Sequence, residues 1–525
     1  MPKRALGSRR LLATLTVLVA AVGLVPPAAA EPVATGLGFD LDAATIPDLQ
    51  ARMDGGRLSS VGLTGEYLRR IREIDPKVHS VLAVNPAALG EAVASDARRR
   101  AGRSLGRLDG IPVLLKDNID TRTMPTTAGS RALTRSRPAQ DAALVRRLRA
   151  AGAVVLGKTN LSEWANYRST KSTSGWSGVG LQTSNPYALN RNPCGSSSGS
   201  GAAVAASLAQ VAIGSETDGS IVCPSGANGV VGFKPSLGLV SRGGVVPISA
   251  EQDTAGPMAR HVVDAAITLS ALQGRDPADP ATSVYPADQP RDYLATLRPD
   301  SLRGARIGVW RLAGANAEVD RVVAASVDTL RAAGATVIDV DLPYQERVGE
   351  AENAALPTEF RRDLTAYLAK RPGGPDTLEQ LIEFNRQDSV ELSRFGQELF
   401  EAALTAPGPN DPAYLRDRAD ARSLARRSVD EVMAANRLDA IVSPTNGPAW
   451  VTSYGGGDAF EVGSSTPAAV AGYPAATVPA GFAGPLPIGL SFFAGRWADA
   501  RVLSLAAGFE RAGAARRAPE LLPSY

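Results

Sequence analysis

Lysine is scarce in this chain, supplying seven of its 56 basic side chains: Lys3, Lys77, Lys116, Lys158, Lys171, Lys234 and Lys370. Arginine carries the positive surface, so each lysine beyond the first few residues needs a reason. Histidine and cysteine are scarcer still, with only His79, His261, Cys194 and Cys223. A four-ligand Cys/His zinc site would consume all of them, and neither HExxH nor CxxC occurs, so no metal is expected. Net charge is lacking too: residues 1–30 hold Lys3, Arg4, Arg9 and Arg10 without an acid, leaving 52 basic against 53 acidic side chains in the rest. That balance excludes a nucleic-acid binder working by bulk charge.

The leading apolar run, Leu11 to Val25, has 15 residues, short of the roughly 20 needed to cross a bilayer. Arg9 and Arg10 precede it, and Pro26, Pro27 and the triplet Ala28-Ala29-Ala30 follow. This pattern reads as a secretory signal cleaved before Glu31, by the Sec or the twin-arginine route, and the expected product is a secreted protein without a stable membrane anchor. With 44% hydrophobic residues in a chain of 525, residues 31–525 are long and apolar enough for one large globular domain.

Thr45-Ile46-Pro47-Asp48 carries a helix-start signal, and Leu63, Tyr67, Ile71 and Ile74 mark one face of a second helix from Ser60. Short apolar runs then alternate with helical stretches, at 111–115, 153–156, 211–213, 306–309, 336–340, 440–442 and 489–492. The alternation predicts an α/β fold with a central mixed sheet covered by helices. From about 344 to 436 the pattern is helical, broken at 371–375 and 407–410, and reads as an insertion over the sheet. Gly455-Gly456-Gly457 marks a loop.

Gly152-Ala153-Val154-Val155-Leu156-Gly157-Lys158-Thr159 fits the phosphate-loop pattern GxxxxGK[ST], yet its central Ala-Val-Val-Leu favours an extended buried strand over a tight anion-binding turn. Lys158 is then a positioning residue at the sheet's end. The block Cys194-Gly195-Ser196-Ser197-Ser198-Gly199-Ser200-Gly201 has linker composition, but the Ala-rich segment after it places it at a buried helix N-terminus. A strand, 211–213, and a second serine turn follow, Thr217-Asp218-Gly219-Ser220. A serine hydroxyl needs a base, and neither histidine stands in a triad context: His79 lies in a packing segment and His261 opens a helix. Lys116, ending the run Ile111 to Leu115, is the better base provided that burial keeps its amine neutral. Asp117 beside it reads as a structural acid.

Taken together, Gly110-Ile111-Pro112-Val113-Leu114-Leu115-Lys116-Asp117-Asn118, Gly195-Ser196-Ser197-Ser198-Gly199-Ser200, Thr217-Asp218-Gly219-Ser220-Ile221 and Gly232-Phe233-Lys234-Pro235 resemble the amidase signature family, from about Thr45 to Ala514. The resemblance implies that family's α/β/α fold and an amide hydrolase without cofactor. It implies a Ser-Ser-Lys triad with Ser220 as nucleophile, Ser196 as the bridging serine after a cis peptide bond and Lys116 as base. The backbone N–H groups of Thr217, Asp218, Gly219 and Ser220 would form the oxyanion hole. Asp218 replaces the commoner glycine, and this Asp-Gly-Ser variant, with Cys194 and Cys223, is most similar to the bacterial peptide amidases. The implied substrate is a peptide or amino-acid amide, losing ammonia. Fatty-acid amides, aryl amides and the glutamine-hydrolysing reaction of tRNA amidotransferases are alternatives within the family, and a catalytically silent extracellular binding protein is the alternative outside it. For Cys194 and Cys223 the expectation is buried free thiols, with a disulfide if the two serine turns converge. The pocket walls are expected from segments 163–183 and 344–460.

Overall fold

The structure, a computed structural model, describes residues 1–2 and 36–525. Residues 3–30 of the expected leader lie outside the described residues. Thirteen strands are present among them: β1 (Val81–Val84), β2 (Pro112–Lys116), β3 (Val154–Thr159), β4 (Trp176–Ser177), β5 (Leu181–Gln182), β6 (Val211–Glu216), β7 (Val231–Lys234), β8 (Thr254–Ala259), β9 (Arg306–Val309), β10 (Thr336–Asp339), β11 (Ala440–Pro444), β12 (Ala475–Ala483) and β13 (Leu486–Phe493). β4 and β5 form a small separate ribbon. The others make one mixed sheet in the order β1-β3-β2-β6-β8-β7-β12-β13-β11-β9-β10.

β2 lies parallel to both β3 and β6, and all five of its residues are buried. That explains its unbroken apolar run, since a strand covered on both faces has no polar side. The helix Ile46–Asp54 starts as its sequence predicts, with a reciprocal capping box between Thr45 and Asp48. Leu63, Tyr67, Ile71 and Ile74 of the helix Ser60–Val78 all enter the core. The helix Ser198–Ala205 is buried at every position, which its Gly, Ser and Ala side chains allow because they let neighbouring backbone approach closely.

Residues 345–436 contain the helices Gln345–Leu368, Leu378–Gln387, Glu398–Thr405 and Pro412–Asn436. Two of their three breaks fall at the Pro/Gly segments, and the third spans residues 388–397. Phe360, Leu364, Leu368, Leu381 and Phe400 form an apolar cluster that also takes in Ala128, Trp164 and Val246. Phe360 stacks on Phe400 with centroids 5.2 Å apart, and each such buried ring contributes roughly 1.5–3 kcal/mol. Arg168, buried with Glu163 and Glu391 at 3.1 and 3.3 Å, pins the 163–183 segment to residue 391. The helical segment is thereby tied to the segment that follows β3.

Candidate active site

Lys116 is the last residue of β2 and is fully buried. Its Nζ lies 2.7 Å from Ser196 Oγ, 3.0 Å from Ser215 Oγ and 3.1 Å from the Ser215 carbonyl. Burial pushes the amine down to about 7, against the opposing pull of Asp253 and Glu216. The neutral form therefore competes at physiological pH. A neutral amine has two N–H donors and one lone pair. The Ser215 carbonyl only accepts, and Ser215 Oγ, already accepting from Asn118 Nδ2 at 2.8 Å, has a second lone pair free. Both N–H groups are thus accounted for, leaving the lone pair to face the Ser196 hydroxyl.

Ser196 follows a cis peptide bond to Gly195. A Cβ on Gly195 would stand 2.2 Å from Ser162 Oγ and 2.8 Å from Ser174 Oγ, so a larger residue there would force these side chains to move. The Ser196 turn is tied to the Ser220 turn by Ser197 N–H donating to the Ser220 carbonyl at 3.2 Å. Ser220 is part-exposed on the cavity wall, and among the described residues its hydroxyl takes no hydrogen-bond partner. The amides of Asp218, Gly219 and Ser220 likewise find no acceptor within the described chain, leaving them available to an external oxygen. Glu216 shapes this turn: its Oε2 accepts from Ile221 N–H at 2.7 Å and Val222 N–H at 3.0 Å, a carboxylate at the start of the helix Val222–Ala227. Thr217 is held by its hydroxyl on Asp253 Oδ1 at 2.5 Å.

The cavity, about 510 Å³, is lined by Ser220, Gly219, Asp218, Gly195 and both cysteines. Its walls include Asn166, Ser169, Thr170, Ser172 and Ser174 from one expected segment, and Glu352, Asn353, Leu356, Trp450, Asp458 and Phe460 from the other. A larger groove, about 880 Å³ beside Arg131 and Phe384, has no lysine or histidine in its wall among the described residues. Neither histidine borders the active-site cavity.

Two expectations are corrected. Cys194 and Cys223 are joined, Sγ to Sγ 2.01 Å and Cα to Cα 6.0 Å. The helix Ser198–Ala205 and β6 fold the chain back, so two turns 29 residues apart in sequence meet. Lys158 lies within β3 rather than beyond it, bonded to Asp117 Oδ1 at 2.7 Å and Thr126 Oγ1 at 3.1 Å. Asp117 also accepts from the Thr127 amide at 3.1 Å. The phosphate-loop pattern is a strand, as its composition indicates, and its lysine neutralises the acid next to Lys116. Sequence reasoning missed Ser215, Asn118, Glu216 and Asp253; the only signal for Ser215 was its place at the end of an apolar strand parallel to β2.

The bridge closes a loop of chain around both serines. Replacing both cysteines by serine should cost about 3–4 kcal/mol in loop-closure entropy of the unfolded chain. The urea midpoint should fall accordingly, and a thiol reductant should lower the wild-type midpoint but not the variant's. Equal midpoints for wild type and variant would refute this.

Residues 62–503 match the profile of the Amidase family. The chain is 38% identical over 499 residues to a probable amidase of Arabidopsis thaliana, an alignment covering 92% of this chain and 93% of the relative. It is 39% identical over 504 residues to a glutamyl-tRNA(Gln) amidotransferase subunit of Salinispora arenicola, covering 90% and 97%. Among solved structures, a peptide amidase in complex with the competitive inhibitor chymostatin superposes with a TM-score of 0.90 at 50% identity, covering 92% of this chain and all of that one. The native peptide amidase from Stenotrophomonas maltophilia gives a TM-score of 0.86 at 50% identity, covering 91% and 99%.

Proposed function

Since the chain belongs to the amidase family and is an amide C–N hydrolase, we propose that it removes the terminal carboxamide from peptides or amino-acid amides, releasing ammonia through an acyl-enzyme on Ser220. The observation that carries this reading is the buried amine of Lys116 set 2.7 Å from Ser196 Oγ, beside the turn bearing Ser220.

In the proposed reaction Ser220 Oγ attacks the amide carbonyl, passing its proton to Ser196 as Ser196 passes its own to Lys116. The amides of Thr217, Asp218, Gly219 and Ser220 receive the negative oxygen of the tetrahedral intermediate. The proton returns along the same relay to the departing nitrogen, C–N cleavage leaves the acyl group on Ser220, and water then attacks the ester by the same route. A dry base suits this task, because a solvated lysine near its ordinary value would hold its proton at neutral pH.

A peptide carboxamide is favoured over the glutamine of a tRNA amidotransferase by the likeness at 50% identity to peptide amidase structures. Export agrees with it: the proposed signal, residues 1–30, delivers the chain to an oxidising compartment where the Cys194–Cys223 bridge persists, and a mature chain beginning at Glu31 checks that step. The test of the activity is mass spectrometry of a carboxamide-terminated peptide with ammonia measured in parallel. The expected product is the free acid, with internal peptide bonds intact and one ammonia per turnover. If no peptide or amino-acid amide releases ammonia, the proposed substrate class is wrong.

A further inference from the structure

We propose that the active-site cavity selects carboxamides carrying a positive charge, with Asp218, Glu352 and Asp458 as the groups that receive it. The inference rests on the placement of the reaction in this cavity. Three carboxyl groups from three separate stretches line it: the nucleophile turn, the helix Gln345–Leu368 and the loop after Gly457. Among the described residues, no lysine, arginine or histidine shares the wall.

Their hydrogen bonds come from neutral donors. Thr466 donates its hydroxyl to Asp218 Oδ2 at 2.7 Å, while Asp218 Oδ1, shielded from solvent, takes no hydrogen bond. Glu352, only 6% exposed, accepts from Gln252 Nε2 at 2.7 Å. Asp458 accepts from the Ser174 amide at 3.0 Å. The arginine behind Glu352 is already committed, since Arg418 pairs with Glu359 at 2.5 Å and donates to Gln252 Oε1 at 2.6 Å. Lys234, the cation behind Asp218, donates to the carbonyls of Tyr473 and Pro235.

Burial raises all three carboxyl groups, Glu352 to about 8, with Asp218 adding repulsion at Glu352. Without a cation these buried acids tend to hold their protons, and an ammonium or guanidinium on the substrate lets them ionise against it. A protonated amine entering the cavity meets the carboxyl groups of Glu352 and Asp458 on its wall. Ser169, Thr170, Ser172 and Ser174 also line the cavity.

The test uses binding rather than turnover. Calorimetry on the full chain carrying Ser220→Ala compares Nα-acetyl-lysinamide, Nα-acetyl-norleucinamide and the α-amide of Nα-acetyl-glutamate, which share a reacting group and differ in charge. The lysine amide should bind at least tenfold more tightly than the norleucine amide, with the glutamate derivative weakest. Adding Glu352→Gln, or Asp458→Asn should the first substitution compromise folding, should shrink the lysine-to-norleucine ratio about tenfold. Equal affinities for lysine and norleucine amides, binding of none of the three, or a ratio unchanged in both variants overturns the proposal. Ammonia release by the wild type from the norleucine amide is scored separately, so a wrong charge preference and a wrong substrate class give different results.

Discussion

Ser220→Ala should lower ammonia release by about 10⁴-fold or more and leave the melting temperature almost where it was. The two halves of this expectation come from one fact. The hydroxyl stands on the cavity wall, part-exposed, and makes no hydrogen bond within the described chain, so its removal strands no buried partner. Surface changes of that kind fall within about 0.5 kcal/mol. The chemistry loses its attacking oxygen altogether, and water positioned by the remaining amides recovers only a small residue of the rate. A variant that keeps most of the activity would place the nucleophile elsewhere, and Ser196 would be the first alternative to examine.

Lys116→Met should cost activity on a similar scale, and it should move stability the other way. In the wild type, kcat/KM should rise with pH through about 7 and level off above it, because the amine pushed down to about 7 by burial must be neutral to accept a proton. Lys116→Arg should be inactive across the same range, since a guanidinium keeps its proton. For stability, the amine is protonated in the unfolded chain up to about 10.5 and sheds that proton on folding down to about 7. Its cost is absent above the higher value, grows as the pH falls and is complete below the lower one. Methionine escapes it, so the variant should unfold at a higher temperature than the wild type at pH 6, with the gap closing by pH 10 to 11. Robust turnover by Lys116→Met would exclude the amine as base; a variant less stable at pH 6 would mean that its three hydrogen bonds outweigh its desolvation.

The sequence exposed some strands and hid others for reasons visible in the structure. β2, β3 and β6 carry continuous β-branched and leucine runs because both of their faces are covered. β8 does not, since Gly256 and Pro257 interrupt Thr254–Ala259. A Cβ on Gly256 would fall 2.0 Å from the Phe233 carbonyl, so the close approach of β7 demands the residue that breaks the pattern. β12 is disguised likewise by Pro479 and Gly481, where its register against β13 shifts. In the site, Lys116 was conspicuous by rarity and the serine turns by composition. Glu352 and Asp458 were not, because nothing in a run of residues tells a carboxyl facing water from one facing a cavity. The pairing of the cysteines was hidden for the same reason, depending on a reversal of the chain whose length a local pattern cannot measure.

The Cys194–Cys223 bond encloses Ser196 and Ser220 within one covalent ring. Its consequence is practical: a preparation made in a reducing cytosol is a chemically different material from one harvested outside the cell, and batches mixing the two would show two populations in any heat-inactivation curve. Titrating accessible thiols before each assay would separate them.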